Sequence, residues 1–204
     1  MTLASLTKAV ARQENRAGQR ELRSLTYLAT YPYIRSAATA TGTIDRVRFC
    51  QLACMVYGWM PRVLRIDLEH IERAMAAVAV APTVTEASVS AGSIESVAAC
   101  LHSLVGASKV LHFANDQVFP IWDSRIEGFR LGKTPTQTHM SDLTNYLAYF
   151  VEVHSIRHES GFGVFRDRFT AFANARLRGL GIPIYAVSDV RAIESTAFEL
   201  TVQA

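Results

Sequence analysis

Apolar residues recur every three or four positions along almost the whole chain, and this spacing limits the possible folds more than any other feature. In residues 140–158, for example, Leu143, Tyr146, Leu147, Phe150 and Val151 follow the helical period of about 3.6 residues. No segment shows the strict apolar–polar alternation that is typical of a strand, and no repeat of fixed length occurs. The sequence therefore predicts an all-α fold.

Capping and helix-breaking residues divide the chain into a series of predicted helices. Thr43 and Ser108 are expected to cap helices through their hydroxyl groups, and Gly58 and Gly132 to end them. Pro32 is expected to end the second helix, because proline lacks the N–H that a helix interior uses. The predicted helices are 2–15, 22–29, 44–57, 67–79, 93–104, one that begins at Lys109, 125–131, 140–158, 162–177 and 188–202.

Length and composition fit one helical domain over residues 1–204. A chain of this size buries roughly 70% of its unfolded surface, and half of its residues are hydrophobic, which argues against disorder. The net charge is +3 and the isoelectric point is about 8.9, below the level at which basicity alone indicates nucleic-acid binding. Composition therefore permits a nucleic-acid partner without identifying one.

The three cysteines lie in apolar helical patterns and are expected to pack in the core as free thiols. An odd number of cysteines without a secretory signal is typical of a reducing compartment, so the sequence predicts a cytoplasmic protein. No apolar run approaches the about 18 residues of a membrane span, so no membrane association is expected. Cysteines and histidines lack the spacing of a metal site, and we expect neither a metal nor another cofactor.

Residues 106–126 place two charged side chains among apolar ones. Lys109 lies near a predicted helix start, and Asp123 follows a short apolar run that contains Pro120. Because removing an ion from water costs several kcal/mol, these two side chains either neutralise each other or are held for a substrate. Asp123 also precedes a predicted helix, whose dipole and free N–H groups favour its charged form.

This order of elements resembles the helix-hairpin-helix DNA glycosylases, and in particular the small bacterial 8-oxoguanine-glycosylase-like proteins. The matching residues are Ser108 and Lys109, then 111–113 and 119–126, with further similar segments at 56–61 and 190–194. The resemblance implies a glycosylase-like helical bundle with a cleft between two helical lobes. The chain departs from the family in having one glycine, Gly106, before the lysine, and in a shorter interval between Lys109 and Asp123.

The resemblance implies that Lys109 attacks the sugar carbon and that Asp123 assists, or that Asp123 acts alone with water. Aromatic and apolar side chains beside a helix end can hold a flipped base, so Tyr57, Trp59 and Met60 are expected at the base pocket. His112, three residues after Lys109, and Trp122, next to Asp123, are expected there too. Phosphate contacts supply much of the affinity for DNA, and the residues expected to make them are Ser108, Arg125, Arg166 and Arg168. Each of these residues has an alternative role in core packing or on a solvated surface.

The resemblance therefore implies a DNA glycosylase that acts on double-stranded DNA, and no obligate protein partner is inferred. Residues 57–61 also resemble a segment of antiviral glycosylases, which implies a hypermodified phage base such as glucosylated 5-hydroxymethylcytosine as the favoured substrate, in defence against phage. The resemblance to the 8-oxoguanine-glycosylase-like proteins implies 8-oxoguanine as the alternative. Two other functions stay open. The chain could be a non-catalytic helical DNA-binding module, or a helical interaction protein in which Lys109 and Asp123 form a structural ion pair.

Overall fold

The computed structural model describes residues 1–15, 22–39, 43–60 and 62–200. Within these ranges every regular element is helical and no strand occurs, which confirms the predicted all-α class. Two short 3₁₀ turns, Ala81–Thr83 and Glu86–Ser88, lie in the connection between the fourth and fifth helices. The helices are α1 Leu3–Asn15, α2 Leu22–Thr39, α3 Arg46–Trp59, α4 Ile71–Val80, α5 Ala91–Leu101, α6 Leu104–Ala114, α7 Ser124–Leu131, α8 Gln137–Ser141, α9 Leu143–Arg157, α10 Phe162–Gly179 and α11 Asp189–Leu200.

Helix α6 lies at the centre of the structure. Ten of its eleven residues are buried, and each of the other described helices contributes side chains to the same apolar core. A helix that is enclosed on all sides is normally apolar all round. The polar residues of α6, which include Ser108, Lys109 and His112, must therefore find partners inside the protein.

The turn between α5 and α6 lies earlier in the chain than predicted. His102 adopts a left-handed conformation with φ 47°, and the Ser103 hydroxyl accepts the N–H of Gly106 over 3.0 Å. Helix α6 therefore begins at Leu104 and not at Lys109 as predicted, and Lys109 lies inside the helix. Apolar residues follow Ser103 directly and follow Ser108 after one lysine, so the local sequence does not distinguish the two possible caps.

Helix α2 continues through Pro32 to Thr39, so the predicted end at Pro32 is wrong. Tyr31, Ile34 and Ala38 are buried at helical spacing on both sides of the proline, and their packing outweighs the lost hydrogen bond. The last predicted helix extends to residue 202, and its final residues lie outside the described ranges.

Helix α3 is capped by Asp45, which accepts the N–H of Arg48 over 2.8 Å, and not by Thr43 as predicted. The buried residues of α3 are Phe49, Leu52, Ala53, Val56 and Tyr57. Val47 and Cys54, which were expected in the core, lie off this face and are exposed. The predicted helix 140–158 is divided at Asp142, which caps α9 through the N–H of Thr144.

None of the described helices is by itself long and apolar enough to cross a bilayer. Helices α5 and α6 satisfy the criteria of length and composition only when they are taken together, and the chain bends by 118° between them.

Candidate active site

A buried segment without regular secondary structure, residues 118–122, lies in the connection between α6 and α7. Its backbone groups are paired with side chains of three surrounding helices, as buried peptide groups require. The pairs are Val118 O with His154 Nε2 (2.8 Å), Phe119 O with His112 Nδ1 (2.8 Å), Pro120 O with Tyr146 Oη (3.2 Å), Ile121 N with Glu194 Oε2 (2.7 Å) and Trp122 N with Ser108 Oγ (2.9 Å). These contacts fix the point at which the chain enters α7.

Asp123 is the residue at that point, and it caps α7 as predicted. Its Oδ1 accepts the backbone N–H of Arg125 over 3.0 Å, and its Oδ2 accepts a hydrogen bond from Lys109 Nζ over 2.9 Å. Burial opposes ionisation, but the charge of Lys109 and the N–H of Arg125 outweigh it, so the pKa of Asp123 lies below its ordinary value. Asp123 is therefore a carboxylate at neutral pH.

Two consecutive residues of α6 each contact one of the two residues that precede α7. Ser108 accepts the N–H of Trp122, and Lys109 binds the side chain of Asp123. The Lys109 Nζ also lies 5.8 Å from the centre of the Trp59 ring, within the range of a cation–π contact. The ammonium group is thus held between a carboxylate and an indole.

Lys109 and Asp123 line a cavity of about 310 Å³. This volume is at the lower end of the range of small-molecule sites. Most of the remaining wall is aromatic or cationic. These side chains come from α2, α3, α7, α10 and α11, from residue 62 and from the connection before α11. The aromatic residues are Tyr27, Trp59, Phe169, Phe172, Tyr185 and Phe198, and the cationic residues are Arg62, Arg125, Arg176 and Arg191.

A wider groove of about 830 Å³ adjoins the cavity. Arg62, Asp123 and Ser124 line both spaces. From there the groove extends along the α5–α6 turn and the connection between α7 and α8. The carboxylate of Asp123 therefore lies where a small aromatic cavity meets a broader surface depression.

Trp59 and Met60, two of the residues expected at a base pocket, line the cavity. Tyr57 lines the groove instead, and its hydroxyl donates to Leu101 O over 3.2 Å. The tyrosine ring packs against Gly106, where a side chain would leave no room for it.

His112 and Trp122 do not line the cavity, which contradicts their predicted role in a base pocket. Both are fully buried. His112 contacts Tyr31 Oη over 2.8 Å as well as Phe119 O, and burial lowers its pKa to about 3, so it is neutral. The Trp122 indole donates to Met140 O over 2.9 Å. Both side chains stabilise the fold around the site.

Of the residues expected to contact DNA, Arg125 lines the cavity. Ser108 is fully buried, and its hydroxyl already donates to Val105 O and accepts the Trp122 N–H, so its predicted contact with DNA is wrong. Arg166 and Arg168 are exposed on α10 and line neither space. They pair with Asp167 and Glu14, respectively.

Two charged residues of the site, Arg191 and Glu194, were not among the predicted site residues. Arg191 lines the cavity and donates to Glu194 Oε1 over 2.7 Å. Their i, i+3 spacing on α11 could have indicated the pair, but not its position beside residues 118–122. Burial raises the pKa of Glu194 to about 7, against the effect of Arg191 and the Ile121 N–H.

No three His, Cys, Asp or Glu side chains converge as metal ligands in the part of the chain that the structure describes. Comparison of the chain with models of protein families, with curated proteins and with solved structures gives no match. The cavity and its Lys109–Asp123 pair are therefore the basis for a functional proposal.

Proposed function

We propose that this protein is a DNA glycosylase that releases a modified base by cleaving its N-glycosidic bond. The observation that carries this proposal is the Lys109–Asp123 pair in the wall of an aromatic cavity. A base must leave the duplex before its glycosidic bond can be reached, and an extruded base is held by stacking on aromatic side chains. The residues of the pair are also those by which the chain resembles the helix-hairpin-helix glycosylases.

Asp123 supplies the electrostatic part of the mechanism. As the glycosidic bond breaks, its electrons leave with the base and positive charge develops on the sugar. A fixed carboxylate stabilises that charge best where water is largely excluded, and the Asp123 side chain is 17% exposed. Each carboxylate oxygen makes one hydrogen bond, which leaves acceptor capacity for the sugar or for an attacking water.

Lys109 supplies either a nucleophile or a charge. As a neutral amine it attacks the sugar carbon and forms a covalent intermediate. As an ammonium ion it orients Asp123, and water is the nucleophile. The distance of 2.9 Å between Lys109 Nζ and Asp123 Oδ2 is short enough for the carboxylate to accept the proton that the ammonium form loses before the attack. The bond between Nζ and the sugar carbon then forms as the glycosidic bond breaks and its electron pair leaves with the base.

The proposed substrate is a hypermodified phage base such as glucosylated 5-hydroxymethylcytosine, and the proposed role is defence against phage. The cavity is small for a base that carries a sugar, but it shares the wall of Arg62, Asp123 and Ser124 with the wider groove. A bulky substituent has room to extend into that groove.

The test is a base-release assay with the purified protein. Unmodified duplex DNA, duplex DNA that contains 8-oxoguanine, and phage DNA that contains glucosylated 5-hydroxymethylcytosine are incubated with the protein. Abasic sites are then detected by alkaline cleavage, and covalent intermediates by reduction with borohydride. We expect abasic sites in the glucosylated DNA and none in unmodified DNA.

Other results assign other functions. Abasic sites only in 8-oxoguanine DNA indicate a repair enzyme. Binding of duplex DNA without release of any base indicates a non-catalytic DNA-binding module. Neither binding nor release indicates that Lys109 and Asp123 are a structural ion pair, and this outcome contradicts the proposal.

A further inference from the structure

Arg191 and Glu194 form a second charged pair beside the same cavity. Glu194 is fully buried, and its two oxygens accept hydrogen bonds from Arg191 Nη1 and from the Ile121 N–H, each over 2.7 Å. Ile121 lies two residues before Asp123. The guanidinium of Arg191 is therefore tied through Glu194 to the segment that positions Asp123.

The same guanidinium packs against two aromatic rings. Arg191 Cζ lies 4.3 Å from the centre of the Tyr31 ring and 5.7 Å from that of Trp59. Tyr185, which lines the cavity, stacks on Tyr31 with ring centres 5.5 Å apart. A guanidinium held by a carboxylate and two rings keeps one orientation, so little entropy is lost when it binds a ligand.

The guanidinium of Arg191 also has hydrogen-bond donors that are not used within the described residues. Glu194 is the one hydrogen-bond acceptor of its guanidinium among the described residues, whereas a guanidinium carries five N–H donors. The Arg191 side chain is 11% exposed and lines the cavity. Its unused donors can therefore meet a group that enters the cavity.

We infer that Arg191 is a specificity-determining residue that binds acceptor oxygens of the group in the cavity. A planar fork of donors matches paired or neighbouring acceptors, and in DNA these come from base carbonyls or from phosphates. The inference rests on the proposed function only for the identification of the ligand as part of DNA.

The experiment measures ligand binding without requiring catalysis. The protein is titrated with 5-hydroxymethyl-2′-deoxycytidine, 8-oxo-2′-deoxyguanosine, 2′-deoxyadenosine or inorganic phosphate. Binding is measured by the quenching of tryptophan fluorescence. The base of 2′-deoxyadenosine carries no carbonyl oxygen. Trp59→Phe identifies the signal from the cavity, because the other tryptophan, Trp122, is fully buried. The variants are Arg191→Lys and Arg191→Met, with Arg73→Lys on the exposed side of α4 as the control.

We expect both Arg191 variants to weaken binding of a carbonyl-bearing nucleoside on the order of 10- to 100-fold, and to leave 2′-deoxyadenosine binding unchanged. Arg191→Lys keeps the charge beside Glu194 and is expected to remain folded, so it shows the effect of losing the fork alone. Selective loss of phosphate binding supports the inference and identifies phosphate as the oxygen source.

Two outcomes overturn the inference. One is wild-type affinity for every ligand in folded Arg191→Lys, and the other is the absence of quenching by any ligand in the wild-type protein. The assay separates this inference from the proposed function. Arg191-dependent binding without base release contradicts only the function, whereas base release with unchanged selectivity in Arg191→Lys contradicts only the inference.

Discussion

At the scale of single residues, buried polar side chains define the candidate site. Ser108, His112, His154 and Glu194 are fully or almost fully buried, and each pairs with a backbone group of residues 118–122, before Asp123. An unpaired polar group in such a position costs about 1–3 kcal/mol. These side chains therefore hold the geometry of the Lys109–Asp123 pair, although they do not line the cavity.

Asp123→Asn is expected to lower the single-turnover rate of base release about 100- to 1,000-fold, as removal of one stabilising group in an active site commonly does. Asparagine is also a good N-cap, so α7 should persist. Asp142→Asn is the matched control, because Asp142 caps α9 in the same way and does not line the cavity. Equal rates in the two variants would exclude a catalytic role for Asp123.

Lys109→Met separates the chemical role of the pair from its structural role. The change leaves Asp123 largely buried without its counter-ion, and we expect the free energy of unfolding in urea to fall by about 3 kcal/mol. Borohydride trapping should disappear if Lys109 is the nucleophile. Lys109→Arg restores the charge but not the amine, so it should recover stability without recovering trapping. Trapping in either variant would assign the nucleophile to another residue.

At the scale of secondary-structure elements, the close approach of α3 to α6 depends on one glycine. A Cβ atom at Gly106 would overlap the Tyr57 hydroxyl and would lie 3.0 and 3.1 Å from ring atoms Cζ and Cε2. Tyr57 is buried and bonded to Leu101 O, so it has little freedom to move. The glycine therefore sets the spacing between the helix that ends at Trp59 and the helix that carries Lys109.

Gly106→Ala is accordingly expected to destabilise the protein by about 1–3 kcal/mol, as overpacking of a core does. In an open helix the same change would stabilise by about 1 kcal/mol. Thermal unfolding measures the effect. Tyr57→Phe removes the nearest atom, so the double variant should lose less stability than the sum of the two single variants. Simple additivity would show that the ring does not restrict this position.

At the scale of the whole molecule, two buried groups give opposite dependences of stability on pH. The pKa of His112 falls from 6.5 to about 3, so the folded state binds fewer protons than the unfolded state in that range, and stability increases with pH. The pKa of Glu194 rises from 4.5 to about 7, so the folded state binds more protons there, and stability decreases with pH. Between about pH 5 and 6 the two effects oppose each other.

Glu194→Gln removes one of the two effects and keeps the shape of the side chain. We expect its free energy of unfolding to increase with pH between about pH 5 and 6, with a slope of about 1.4 kcal/mol per pH unit relative to the wild-type protein. Urea unfolding at several pH values measures both slopes. Parallel profiles for the two proteins would show that Glu194 does not titrate in this range.

The sequence by itself determined the helical class, because periodic apolar residues specify which faces of helices are buried. It also determined that Asp123 begins a helix after a non-helical segment, because Pro120 excludes a helix interior and an aspartate is a favourable N-cap. It left open whether Lys109 and Asp123 neutralise each other or face a substrate. The structure shows that they bind each other and line a cavity.

Only the tertiary structure decided which serine caps α6, which side chains face the cavity and which support it. His112 and Trp122 lie beside the charged pair in the sequence but point into the core, whereas Arg191 and Phe198 reach the cavity from the far end of the chain. Local periodicity shows that a residue is buried, but not against which distant element it packs. That choice depends on how all the helices fill one core together.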